Sequence, residues 1–197
     1  MRFCRSLLVF SACNALINPA QAGDWTVGIR TSFDRAPDNF SEPLGTKVEF
    51  SAVRAFANGL VLGAAAEPDF KTDNNGVSST IEGTLGYIWK LGSFASLGGS
   101  AGVGEEIQQE SSGGSFPYYV LRVHADIDLG DRWSWNLITY RFRDAFNTKN
   151  DFNTPEVSTA VTLKLDDSHS VYVRYYYDWK DGEPDSQGIG LGYKYHF

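Results

Sequence analysis

The stretch GIGLGYKYHF, residues 188–197, decides the fold. Ile189, Leu191, Tyr193, Tyr195 and Phe197 fall on one parity, and Gly188, Gly190, Gly192, Lys194 and His196 on the other. Alternation at period two is the mark of a strand with one apolar and one polar face. It leaves open whether the apolar face meets a protein core or lipid. The rest of the sequence decides that, and function follows from the answer.

The same alternation runs through PYYVLRVHADIDLG, residues 117–130. Tyr119, Leu121, Val123, Ala125, Ile127 and Leu129 share one face; Val120, Arg122, His124, Asp126 and Asp128 share the other. On further segments the polar face is small: Ser96, Gly98, Ser100, Gly102 and Gly104 on one, Gly188, Gly190 and Gly192 on the last. A soluble core built on a face of glycine and lysine would remove little apolar area from water and could not offset chain entropy. An apolar face turned outward to lipid has no such difficulty. Aromatics near segment ends fit two interfacial girdles: Trp25, Trp89, Trp133, Trp135, Tyr193, Tyr195 and Phe197 at one rim, Tyr118, Tyr119, Tyr177 and Trp179 at the other.

Working outward, alternating runs of about 10 to 14 residues are separated by turn signals, the pattern of a strand-rich barrel. Short turns (57–59, 90–93, 130–132, 166–169) alternate with longer polar loops (36–43, 72–76, 108–117, 147–155, 182–186). The loops are rich in Asn, Asp, Gly, Ser and Pro, which favour turns and exposure. Ten strands are predicted, at 24–35, 44–56, 60–71, 77–90, 94–107, 117–129, 133–146, 156–166, 170–181 and 187–197. The expected fold is all-β: a closed, antiparallel, up-and-down transmembrane β-barrel. Eight strands is the alternative if 44–71 forms fewer full strands, and twelve is the other even count considered.

The first 22 residues read as a secretory signal peptide. Arg2 and Arg5 supply a positive start, Leu7 to Ala12 an apolar run, and Ala20-Gln21-Ala22 a cleavage site, leaving 23–197 as the barrel domain. A lipidated Cys13 after Ser11-Ala12 is the competing reading, disfavoured by Phe10 and the short leader. Both cysteines, Cys4 and Cys13, lie in the leader, so the mature chain has neither a disulfide nor a thiolate metal site. Loss of Arg2 and Arg5 from 17 basic residues against 24 acidic ones moves the formal charge from −7 to −9. Such a balance excludes nucleic acid as a partner. No window approaches the roughly 18 to 20 apolar residues of a transmembrane helix.

The terminal strand resembles the assembly signal of Gram-negative outer-membrane β-barrel proteins: apolar residues at Ile189, Leu191, Tyr193 and Tyr195 with Phe197 last. That resemblance implies an outer-membrane location, contact with outer-membrane lipid and lipopolysaccharide, and recognition by the outer-membrane assembly machinery. VYVRYYYDWKDGEP, residues 171–184, with inward Arg174, is similar to strands of the small monomeric oligogalacturonate- or sialate-type porins. It implies a monomeric channel. A lipocalin-like soluble barrel is the rival, on Gly23-Asp24-Trp25 alone, without the expected helix after the strands.

The inward parity predicts a charged lining. Arg30, Lys164, Arg174 and Lys194 fall toward the first and last strands, and Glu82, Glu106, Asp126 and Asp128 on the middle ones, so opposite walls are expected to carry opposite sign. The functional reading is a porin-like channel for small hydrophilic, including anionic, solutes, lined by Arg30, Glu82, Glu106, Arg122, Arg174 and Lys194. The alternative is a plugged barrel in which Arg122 and Arg174 reach carboxylates across the lumen; the inward glycines leave room for either. A lipid-modifying enzyme is the third class, on His124 near Asp126, His169 beside Ser168 and Ser170, and His196, none of them in a nucleophile motif. Asp73, Asn74 and Asn75, or Asp166 and Asp167, lack calcium-loop spacing. No cofactor and no catalytic residue is expected.

Overall fold

A computed structural model describes residues 23–72, 77–108, 114–150 and 152–197. The leader expectation and the Asp73–Asn75 stretch lie outside them. Among the described residues ten strands form: β1 (Gly23–Arg35), β2 (Pro43–Phe56), β3 (Leu60–Lys71), β4 (Val77–Leu91), β5 (Ala95–Gln108), β6 (Phe116–Asp128), β7 (Trp133–Ala145), β8 (Thr154–Lys164), β9 (His169–Lys180) and β10 (Glu183–His196). Each pairs antiparallel with its sequence neighbours, and β1 pairs β10, closing the barrel. Closure satisfies the backbone of every strand within the wall, which a bilayer demands. The segment 44–71 makes two full strands, so the count is ten and not eight.

Register confirms the two faces. At the seam Gly28 lies opposite Lys194, Arg30 opposite Gly192 and Asp34 opposite Gly188, all inward, while Ile29 lies opposite Tyr193 and Phe33 opposite Ile189, outward. Outward apolar side chains stay uncovered; Leu121 and Val123 are 48% and 56% exposed. Burial of that belt is the work of lipid, and no described helix is long and apolar enough to cross a membrane in the strands' place.

Two sequence expectations need correction. The segment 182–186 is not a long loop: β10 begins at Glu183, which pairs with Lys180, and the chain reverses through Asp181 and Gly182. Both have positive φ, 51° and 87°, the combination of a two-residue type I′ hairpin turn, which glycine at the second position favours. A register shift follows between Pro184 and Ser186, and the proline, lacking an N–H, sits at that irregularity. Tyr118 is not a girdle residue. It shares the inward parity of Val120 and Arg122 and is fully buried, whereas Tyr119 faces out, 6.0 Å from Phe142 between ring centres.

The rims otherwise match expectation. Tyr87 and Trp89 (5.0 Å) and Tyr195 and Phe197 (4.7 Å) cluster at the short-turn rim, Tyr177 and Trp179 (4.6 Å) at the opposite one. On β7 a register shift between Asn136 and Thr139 turns both Leu137 and Ile138 outward, and the indole of Trp135 donates to Thr159 across the gap at 2.9 Å.

Candidate functional site in the barrel lumen

Inward glycines are covered, and by specific side chains. Tyr118 lies opposite Gly104, His124 opposite Gly98, Tyr172 opposite Gly192 and Tyr176 opposite Gly188. A Cβ on any of these glycines would run into the ring across from it. The glycine rows therefore let flat rings lie along the wall and do not by themselves widen the bore. Of the two outcomes that the inward glycines were expected to allow, these positions take the filled one.

Above the middle of the barrel, toward the long-loop end, the lumen is crossed by ion pairs. Arg30 on β1 donates through Nη2 to Glu49 on β2 (2.9 Å) and Glu67 on β3 (3.0 Å). Arg143 on β7 reaches Glu82 on β4 (3.2 Å) and Glu67 (3.6 Å), strands on the far side of the barrel. Arg122 pairs with Glu82, and Tyr118 donates its hydroxyl to the same carboxylate at 3.2 Å. Glu156 on β8 takes Arg141 (3.0 Å) and Arg174. Nearer the rim Lys47 spans Asp34 (2.9 Å) and Asp178 (3.5 Å), and Tyr176 donates to Asp34. Charges so enclosed are tolerable because each meets opposite charge with hydrogen-bonding geometry. Phe152 caps this end, its ring 5.3 Å from that of Phe116 and 5.0 Å from that of Tyr118.

Toward the short-turn end the lumen is open. A cavity of about 380 Å³ runs from the arginine–glutamate layer down between small polar side chains, among them Ser51, Thr84, Ser134, Asn136, Thr139 and Thr162. Of the six residues expected to line a channel, Arg30, Glu82, Arg122, Arg174 and Lys194 border this cavity. Glu106 does not; it is buried beyond the ion-pair layer, opposite Thr80 and Phe116. Sequence reading missed Glu49, Glu67, Arg141, Arg143 and Glu156. All carry the inward parity of their strands; in YRFRD (140–144) Arg141 and Arg143 alternate with Tyr140 and Phe142, so the signal was present.

The expected division of sign is partly visible. Glu49, Glu67, Glu82 and Glu106 stand on β2 to β5, and Arg122, Arg141, Arg143, Arg174, Lys194 and Arg30 on β6 round to β1. Lys47, Asp34, Asp126, Glu156 and Asp178 break the division, and long guanidinium arms join the two sides directly. Lys164 and Asp128 lie at strand ends rather than in this layer; Lys164 bonds Asp167 in the β8–β9 turn at 2.9 Å, and that ammonium holds the Asp167 carboxyl below its ordinary range.

The histidines do not assemble a triad among the described residues. His124 faces Asp126 at 3.5 Å, and no serine or threonine hydroxyl bonds to it. His196 lies between the hydroxyls of Thr26 (2.9 Å) and Ser170 (3.1 Å), so no carboxylate orients it. His169 is at the outer rim against the Tyr193 hydroxyl.

No protein-family model matches the chain, and no curated protein does. Among solved structures it is similar to the β domain of the Bordetella autotransporter BrkA (TM-score 0.54, 12% identity, 90% of this chain and 100% of that one). It is also similar to the NanC porin (TM-score 0.53, 9% identity, 86% and 98%). A third likeness is to an outer-membrane channel from Pseudomonas putida F1 (TM-score 0.50, 8% identity, 92% and 100%). At these identities the likeness is one of fold. With its closed ten-strand wall and outward apolar belt, the chain has the fold of outer-membrane β-barrel proteins.

Proposed function

We propose that the barrel is a narrow outer-membrane channel for small hydrophilic solutes, constricted at the arginine–glutamate layer. The cavity carries the proposal: a polar space of about 380 Å³ inside a membrane-spanning wall, with its ceiling made of Arg30, Arg122, Arg141, Arg174 and the carboxylates that hold them. Charged constrictions of this kind select by field and by the number of hydrogen-bonding groups they offer a partly dehydrated solute. Five basic side chains against four acidic ones border the cavity, which favours solutes carrying a carboxylate. The short-turn end faces the periplasm on this reading, following the plan of bacterial barrels. The barrel works as a monomer, contacts lipid and lipopolysaccharide through its outer face, and presents the Ile189–Phe197 row to the assembly machinery. The NanC porin, similar in fold, supports a channel.

A second reading is a plugged structural barrel, and one observation favours it: Arg143 bridges Glu67 and Glu82 across the lumen itself. Single-channel recording in planar bilayers separates the two. Discrete openings are expected, with ion selectivity altered in Arg174→Ala; a folded, inserted protein that passes no current would leave the plugged barrel as the function.

A further inference from the structure

Two charges on the cavity wall are not consumed by the ion-pair layer. Among the described residues Lys194 makes no ion pair; its ammonium lies 4.8 Å over the Tyr172 ring. Asp126 faces His124 at 3.5 Å and accepts one amide hydrogen bond from Asn136 at 2.8 Å, which leaves most of its lone pairs unused. Both border the cavity, Lys194 from β10 and Asp126 from β6. Going round the wall, β9, β8 and β7 stand between those strands on one side and six strand-to-strand steps on the other, so the two residues face each other across the bore. The remaining cavity charges are paired: Arg30 with Glu49, Arg122 with Glu82, and Arg141 and Arg174 with Glu156.

The cavity thus keeps a transverse dipole, positive at Lys194 and negative at Asp126. Both are partly covered, Asp126 with 36% of its side chain exposed, and in so narrow a bore an opposite charge still stabilises each. A simple anion satisfies Lys194 and leaves Asp126 facing it across the bore. A simple cation does the reverse. A guest with both signs satisfies both walls; the Ser134 hydroxyl on the cavity wall offers a hydrogen bond, and the Thr139 hydroxyl, whose proton goes to Asn136, can accept one. A volume of about 380 Å³ lies at the small end of ligand pockets, which run from about 300 to 1,000 Å³. We propose that the cavity binds small zwitterions, a free amino acid or short peptide, with the carboxylate on Lys194 and the ammonium on Asp126. The inference rests on the channel reading only in needing the cavity to be reachable from one end.

The test is titration calorimetry of the folded barrel in detergent micelles with glycylglycine, against N-acetylglycine as the anion-only probe and glycinamide as the cation-only probe. Glycylglycine is expected to bind at least tenfold more tightly than either. Lys194→Met and Asp126→Asn should each remove that advantage with the strand signal in circular dichroism and its melting unchanged. The exchanged pair, Lys194→Asp with Asp126→Lys, should restore glycylglycine binding, because the guest can turn end for end. Equal binding of N-acetylglycine, indifference to both single substitutions, or no binding of glycylglycine in the millimolar range overturns the proposal. Because binding is read without current, a sealed barrel that takes up glycylglycine would overturn the channel and keep this site. A conducting barrel that ignores glycylglycine would do the opposite.

Discussion

The two ends of the lumen share the same ten strands yet are opposite in character. Toward the long loops, Tyr118 and Val120 are fully buried, Tyr176 is 1% exposed, and Lys47, Arg143, Glu67 and Asp178 interlock among them. Toward the short turns, serines, threonines and small apolar residues leave a cavity. Strand number sets the bore of a barrel, but inward side chains decide whether that bore is filled. One end has the packing of a protein interior and the other that of a vestibule. A substitution should therefore cost folding free energy at the first and alter permeation at the second.

The largest effect should come from Glu156→Ala. It removes the one carboxylate shared by Arg141 and Arg174 and leaves two enclosed guanidinium groups short of charge. Breaking a buried pair from one side costs about 3–5 kcal/mol. Urea unfolding from lipid vesicles should show that loss, and an unchanged midpoint would mean the filled end is not held by its ions. Next is Gly192→Val, whose added carbons meet the Tyr172 ring. Overpacking of this kind costs about 1–3 kcal/mol; displaced into the vestibule, Tyr172 should also lower conductance.

Phe152→Ala should separate the two properties at the filled end. It strips the ring resting on Phe116 and Tyr118 without touching the ion pairs, so the urea midpoint should fall by less than in Glu156→Ala while the open-state current rises. No rise in current would place the constriction wholly in the charged layer. At the vestibule, Thr162→Ala should leave stability within about 0.5 kcal/mol, the usual range away from packed or charged features. The smallest effect belongs to Asp167→Asn outside the wall. Its depressed carboxyl implies a contribution present at neutral pH and lost as pH falls through the folded-state value, but the side chain is fully exposed. Solvent screening should make the acid-unfolding curves of parent and variant coincide.

The barrel was legible in the sequence because its code is local. Period-two alternation fixes face within each strand, and turn residues fix the number of strands, which is why β3 and β9 fall within a residue of their expected bounds. What was lost depends on register between strands. Tyr118 belongs to a rim by position and to the lumen by parity, and position alone misled. Glycine at 188, 190 and 192 looked like space because the Tyr172 and Tyr176 rings that fill it come from another strand. The partner of Arg143 could not be read at all: Glu67 and Glu82 lie three to four strands away, and only the shear of a closed barrel brings them level. The Asp181-Gly182 turn, by contrast, was a local signal, passed over because Glu183 and Pro184 after it resemble loop.

The glycine row of β10 gives the seam a means of checking its own alignment. On one side Tyr172, Arg174 and Tyr176 of β9 lie over it, and on the other Arg30, Ser32 and Asp34 of β1. Slide the last strand by two residues in one direction, and Lys194 takes the place that Gly192 now holds between Arg30 and Tyr172. The faces would still be correct, yet two cations and a ring would compete for one position. Bilayer polarity cannot tell these registers apart. Steric fit can, so a misaligned closing strand would be rejected while the cylinder is still unzipped.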